Sequence, residues 1–400
     1  MNTAAARRLA SLSELACLVA DGTATTRSAI VSATGLSRAA IAQRVDLLIE
    51  RGLLVETEPA VTDRGRPPLT LDLASHELLV AGVDLGASHS RIAVMTLGGH
   101  VLAESAQQID INDGPDKVLG NVRAELDALL AQAERPTGHL RAIGIGVPGP
   151  VEWSTGTVVR PPIMQGWDGC RVPGFFEHVY DASVLVDNDV NVMAFGEYAH
   201  RLVAGVADQS APEHLLYVKV GTGIGCGIVS GGAVHRGASG AAGDIGHIQL
   251  PGLEDVLCHC GNTGCVEAVA SGSAIAGALR QLGIEATGAQ DVVRLAGQGN
   301  PVVRQQVRLA GRRIGEVLAS IVSFHNPDTI VVGGIFAQLH EDLLADIRSV
   351  IYHRALPLAT RTLAIETSAL GERAGVLGAA KLAVRHLLSS AGIGAIIGDV

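Results

Sequence analysis

At 400 residues the chain is too long for one compact core, and its 48% hydrophobic content supports a sizeable interior. No run reaches the roughly 18 uninterrupted apolar residues of a membrane span, and aromatics at 3% exclude a base-stacking platform for single strands. The formal charge of −10 is unevenly spread: residues 1–73 hold eight Arg and eight acidic residues, so the rest of the chain carries all of it. A neutral module with local Arg clusters can face phosphate, while an acidic body is kept away from it.

The N-terminus, MNTAAARRLASLSELACLVADG, lacks the ordered regions of a signal peptide and reads as an amphipathic helix, so the expected location is cytoplasmic. Ser11-Leu12-Ser13-Glu14 opens an apolar-periodic segment that Gly22 ends. Thr25-Thr26-Arg27-Ser28 caps a second, short helix that stops at Gly35. Ser37 caps a third over Arg38–Arg51, with Ile41, Val45, Leu48 and Ile49 as its buried stripe. Leu53–Glu58 and Leu69–Leu73 read as two strands flanking Pro59–Pro68, a loop containing Arg64-Gly65-Arg66-Pro67.

Two short helices joined by a Gly-Leu-Ser turn match the helix-turn-helix pattern, whose second helix enters the major groove. Ala29, Ile30 and Leu36 would pack the helices together, leaving Arg38, Ala39, Gln43 and Arg44 on the open face of the third. Arg and Gln can bond guanine and adenine bidentately. Arg64 and Arg66 would tip a wing suited to a narrow A·T-rich minor groove. The expected partner is operator DNA.

From Leu78 onward the pattern becomes strand, glycine turn, strand, helix, with a faint internal repeat. LLVAGVDLGASHSRIAVMTLGGHV (78–101) has the order strand, D-x-G-x-S turn, strand, Gly-Gly. LLYVKVGTGIGCGIVSGGAV (215–234) repeats that order with G-T-G at the turn. Such a duplication fits two lobes with a cleft between them.

Six cysteines in a cytosolic chain argue against a disulfide framework. Three of them lie between 258 and 265 as Cys258-x-Cys260-x4-Cys265. Three thiolates need a fourth ligand to close a tetrahedral zinc site, and His247 in GDIGHIQL is a plausible fourth, with His259 as its competitor. No coordination position is left open, so the zinc is expected to be structural. Cys17, Cys170 and Cys226 are isolated and read as core.

Over nearly its whole length the chain resembles the ROK family of repressors, open reading frames and sugar kinases. CHCGNTGCVEAVASG preceded by GDIGH is similar to that family's zinc signature, and Asp187-Asn188-Asp189-Val190-Asn191 followed by AFGE to its catalytic segment. GIGVPGPV (144–151), GWDG (166–169), VGTGIGCGI (220–228) and NPDTIVVGG (326–334) fall in the family's order. The resemblance implies an α/β body of two actin-like, sugar-kinase-like lobes, a duplicated ribonuclease H-like fold. An N-terminal winged helix-turn-helix is what distinguishes the family's regulators from its stand-alone kinases. The implied domains are a winged helix-turn-helix at 1–75, a first lobe at 76–192 completed by the C-terminal helix, about 374–400, and a second lobe with the zinc site at 193–373.

Carried over by resemblance, Asn188 and Asp189 contact the sugar, with Asp189 in the position of the general base. Asp244 and Glu267 also face the sugar, and His247 serves both zinc and sugar. Asp84, Gly86, Ser88, Gly221, Thr222, Gly223, Gly333 and Gly334 fall in the nucleotide-binding positions for ATP and Mg. Two departures bear on transfer chemistry. The family's D-x-G-G-T is here Asp84-Leu85-Gly86-Ala87-Ser88-His89, and its sugar-binding Glu is the shorter Asp244. The function expected is therefore a sugar-responsive DNA-binding repressor acting as a homodimer or homotetramer, with no membrane partner. The alternatives are an ATP-dependent sugar kinase, or a regulator controlled by a protein partner.

Overall fold

The computed structural model describes residues 3–58, 69–74, 78–205 and 211–398. The Arg64 and Arg66 loop lies outside them.

The chain opens with three helices: α1 (Thr3–Ala20), α2 (Arg27–Thr34) and α3 (Arg38–Glu50). The caps read in the sequence form. Thr26 Oγ1 accepts from Ala29 N at 3.1 Å, Ser37 Oγ accepts from Ala40 N at 3.3 Å, and Gly35 ends α2 with φ 69°. Helix α1 begins earlier than the Ser11 start, because the preceding alanines are the strongest helix formers. Strands β1 (Leu54–Thr57) and β2 (Thr70–Leu73) pair antiparallel, with Leu54 opposite Leu73. Arg27 ties this module together by ion pairs to Asp46 of α3 and Glu56 of β1, both at 2.7 Å.

The first lobe is built on β3 (Leu79–Leu85), β4 (His89–Thr96) and β5 (Val101–Gln108), followed by α4 (Pro115–Gln132) and β6 (Leu140–Val147). A small hairpin, β7 (Val151–Glu152) and β8 (Thr157–Val158), precedes β9 (Ser183–Asn188). Its five-stranded sheet has the order β5-β4-β3-β6-β9. Every residue of β3 is buried, the apolar run 79–83 as a strand covered on both faces requires, and Asp84 with it.

Helix α5 (Asp189–Gly205) leads to the second lobe, where β10 (His214–Val220), β11 (Ile224–Ser230) and β12 (Ala233–Val234) form another antiparallel meander. Helices α6 (Val266–Ala270), α7 (Gly272–Gln281), α8 (Ala289–Gly297) and α9 (Pro301–His325) follow. Then come β13 (Thr329–Gly333), α10 (His340–Arg354), α11 (Pro357–Thr360) and β14 (Ala364–Thr367). The second sheet runs β12-β11-β10-β13-β14, the same order as the first, so the faint sequence repeat is a repeat of topology.

Helix α12 (Ala374–Leu387) returns to the first sheet. Backbone lies directly on backbone there: a Cβ at Gly82 would stand 2.1 Å from the Val376 carbonyl, and one at Gly144 1.9 Å from that of Ala379. The other face of α12 meets α5, where Gly378 lies against the Val192 carbonyl. Finally α13 (Ser390–Ile397) packs on α1. Leu12 and Leu15 share one buried cluster with Val80, Leu387, Ile393 and Ile397, so the N-terminal helices and the body have a common core. Ser13 donates to the Leu388 carbonyl at 2.7 Å, Arg51 to that of Ile397 at 3.0 Å, and Arg385 pairs with Asp21 at 2.8 Å. Among the described residues, no single helix is long and apolar enough to cross a membrane.

Candidate functional site

A cleft of about 630 Å³ opens between the two sheets. The repeated topology explains its position: the β3–β4 and β10–β11 turns of the two meanders face each other across it. From the first lobe come Asp84, Ser88, His89, Asn188 and Asp189. From the second come Lys219, the Gly221-Thr222-Gly223 turn, Asp244, His247, Glu267 and Gly334. Most of the residues singled out in the sequence for sugar or nucleotide thus share one cavity. Gly86 and Gly333 do not line it. Gly86 lies under the His89 ring, where a Cβ would be 2.1 Å from the ring, and Gly333 lies against the Tyr217 hydroxyl.

The polar groups are held by short local geometry. Asn188 donates to the Gly149 carbonyl at 3.0 Å, and its Oδ1 accepts from Val190 N at 2.9 Å, fixing the start of α5. Glu267, in the first turn of α6, accepts from Ile224 N at 2.8 Å. Asp84 is buried, its two oxygens have no hydrogen-bond partner, and His89 Nε2 stands 3.6 Å away. Asp189, also buried, makes a very short contact with the Lys219 ammonium. Asp187 is bonded at 2.8 Å by Arg236, which also lies 3.7 Å over the Trp153 ring, so this arginine bridges the lobes.

Lys219 and Arg236 were absent from the sequence reading. Lys219 left a signal: it is the only charge in the strand LLYVKV. A lysine in an otherwise apolar strand requires a partner. Arg236 left none, because its partner comes from the other lobe.

Beside the cleft, His247, Cys258, Cys260 and Cys265 bring their ligand atoms within 4.8 Å of one another. Cys258 Sγ is 3.7 Å from His247 Nδ1, and Cys260 Sγ 3.7 Å from Cys265 Sγ. These match the edge of about 3.7 Å that a tetrahedron with bonds of about 2.3 Å has. A bridge between Gln249 and Cys265 pins the cysteine turn to the segment after His247, and one between Leu257 and Thr263 closes the turn on itself. His259 is exposed and outside this cluster, so His247 is the fourth member. Burial pushes the Cys265 thiol up to about 12, and its hydrogen bonds with Cys260 and Cys258 add to that. A dication at the centre reverses that preference, which is the chemistry such a donor set fits. Among the other cysteines, Cys226 is buried, while Cys17 and Cys170 are half-buried.

In the N-terminal module, Arg38, Ala39 and Gln43 are exposed along one side of α3. Arg44 corrects the sequence reading. It is half-buried, donates to the Ala40 carbonyl at 3.1 Å, and has a buried Nε, so it does not stand on the open face.

A second, wider groove of about 870 Å³ lies between α5, α10 and β14. Arg201 there is paired with Glu197 and Glu366, which leaves the groove without a free guanidinium at that point.

The model of the ROK family matches residues 80–386. The chain belongs to the ROK family. Within it, a putative xylose repressor from Caldicellulosiruptor sp. (strain Rt8B.4) is 30% identical over 384 residues, covering 93% of this chain and 94% of the relative. The solved structure of a ROK family transcriptional regulator, a homologue of the E. coli MLC protein, superposes with a TM-score of 0.81 at 25% identity. That match covers 98% of this chain and 99% of the other. The ROK glucokinase from Streptomyces griseus, solved with glucose and AMPPNP, matches with a TM-score of 0.62 at 29% identity. It covers 76% of this chain but 98% of its own. The two-lobed sugar-kinase-like architecture is thus common to ROK regulators and kinases.

Proposed function

We propose that this ROK protein is a sugar-responsive DNA-binding repressor, whose N-terminal module binds operator DNA and whose cleft binds the sugar that releases it. The observation that carries this reading is the extent of the likeness: regulators match the chain nearly from end to end, whereas the glucokinase covers 76% of it. The family model, over residues 80–386, leaves out the helical module with the exposed Arg38 and Gln43, whose side chains can bond base edges.

In the cleft, Asp189 and Glu267 supply hydroxyl-binding carboxylates, with Asp244 at the mouth and His247 between sugar and metal. Asn188 acts by fixing the start of α5. The His247–Cys258–Cys260–Cys265 cluster holds a structural zinc ion, which ties the loop before Glu267 to the cleft wall. Kinase turnover is weak or absent. The His89 ring covers Gly86 in the first of the two turns assigned to nucleotide, and displacement of the reacting groups by about 1 Å can cost on the order of 100-fold in rate. The protein acts as a homo-oligomer, in which a change in the angle between lobes alters the spacing of two DNA-binding modules.

The test is selection of bound duplexes from a random pool, followed by release with a panel of pentoses, hexoses and N-acetyl sugars. The proposal expects a palindromic site, lost on Arg38→Ala with Gln43→Ala, and release by at least one sugar. Failure to enrich any duplex contradicts it.

A further inference from the structure

We propose that Lys219 is a resident counter-ion that keeps Asp189 from accepting a proton, so that the cleft binds a sugar hydroxyl without activating it. This rests on the reading of the cleft as a sugar site.

Transfer of a phosphoryl group from a nucleoside triphosphate to a sugar breaks the hydroxyl O–H bond as the new O–P bond forms. The proton passes to a carboxylate, and the electron pair of the broken bridging O–P bond leaves with the nucleoside diphosphate. Asp189 is the buried carboxylate at the start of α5 that faces the cleft. Its Oδ2 is already in contact with the Lys219 ammonium, which projects from β10. A buried carboxylate engaged by an ammonium is a weaker base than the same buried carboxylate alone, because protonating it would strand the ammonium without its counter-charge.

The surroundings hold that ammonium charged. Burial is the largest single influence and works against it, but Asp189, Asp84 and Glu267 together outweigh burial, so Lys219 sits above its ordinary value. Facing Asp189 are Lys219 from β10, Asp84 from β3 and His89 from β4. Burial pushes the Asp189 carboxyl up, and Lys219 opposes that shift more than any other group. The lysine therefore does two things. It offsets one of the two negative charges that the buried carboxylates Asp84 and Asp189 bring together, and it leaves Asp189 a hydrogen-bond acceptor for a hydroxyl.

The experiment compares four full-length proteins: wild type, Lys219→Met, Asp189→Asn and the double variant. ADP release from ATP is followed with D-xylose, D-glucose or N-acetyl-D-glucosamine, and melting temperature is recorded from about pH 5 to pH 8 without sugar. Lys219→Met should release ADP at least roughly tenfold faster than wild type with one of these sugars, a gain the double variant loses. Its melting deficit against wild type should be small near pH 5 and grow as pH rises. A lone buried Asp189 has its folded value raised, so stability is lost as pH climbs through that value. Asp189→Asn in the double variant should remove this slope.

Should Lys219→Met not fold near neutral pH, rescue of folding by Asp189→Asn supports the proposal and lack of rescue overturns it. Calorimetry with the three sugars on wild type separates the two readings. Absence of binding refutes the sugar site, and the counter-ion is then judged on the melting slope alone. A flat melting difference, or sugar binding with no gain in ADP release, overturns the counter-ion.

Discussion

At the residue scale, chemistry at a few positions sets the site apart from a simple polar pocket. Cys260 is the most accessible thiol of the proposed metal cluster, and its neighbours Cys258 and Cys265 are buried. Cys260→Ser should lower zinc per chain, read by atomic absorption on freshly purified protein, and lower the melting temperature with it. Unchanged metal content would show that the cluster is not a metal centre. On α3, Arg38 is exposed whereas Arg44 turns back to its own helix. Arg38→Ala should cost roughly 1–3 kcal/mol in operator affinity if it reads a base. Electrophoretic shifts with the selected duplex will measure it, and an equal loss on non-specific DNA would mean a phosphate contact instead.

At the element scale, helix ends and close approaches decide the architecture. The third helix was legible in the sequence because its Ser37 cap and its Ile41, Val45 and Leu48 stripe are local signals. The cysteine turn was legible for the same reason, since three of its four donors lie within eight positions. What was not legible is long-range. The Asp189–Lys219 and Asp187–Arg236 pairs each join segments that only the fold brings together. Arg44 escaped because helical periodicity gives a face but not whether a long side chain bends back along it. Likewise, nothing in the apolar run of α13 says that it leaves the body to cover α1.

The packing of α12 on the first sheet permits a sharp prediction. The Cβ of Gly144→Ala would meet the Ala379 carbonyl at 1.9 Å, and a backbone atom cannot swing aside. Denaturant unfolding should show a loss of roughly 1–3 kcal/mol or more. A second prediction concerns α9 and α10, joined by Arg304 and Arg308 on Asp342. The Arg304 hydrogen bond, reinforced by Arg308, holds the Asp342 carboxyl below its ordinary value. Its contribution is therefore complete above the ordinary carboxylate range and is lost as pH falls through the lowered value. Asp342→Asn should cost roughly 1–3 kcal/mol at neutral pH, and the difference from wild type should close in acid.

At the scale of the whole molecule, the cleft and the N-terminal module are joined by one helical path. The Asp84 carboxylate lies against the first turn of α12 at Gly375. The far end of that helix reaches the N-terminal module through Arg385 and Asp21, and α13 continues onto α1. Under the proposed function, the acidic body and the neutral N-terminal module would direct DNA to the N-terminal end of the chain. If sugar and DNA are linked through the body, each must weaken the other by the same factor. The most direct measurement is operator affinity by fluorescence anisotropy, with and without a saturating sugar from the panel, for wild type and Asp189→Ala. The account predicts that sugar weakens wild-type binding at least tenfold, a coupling of about 1.4 kcal/mol, and leaves Asp189→Ala bound. Equal affinity with and without every sugar that calorimetry finds to bind would contradict it.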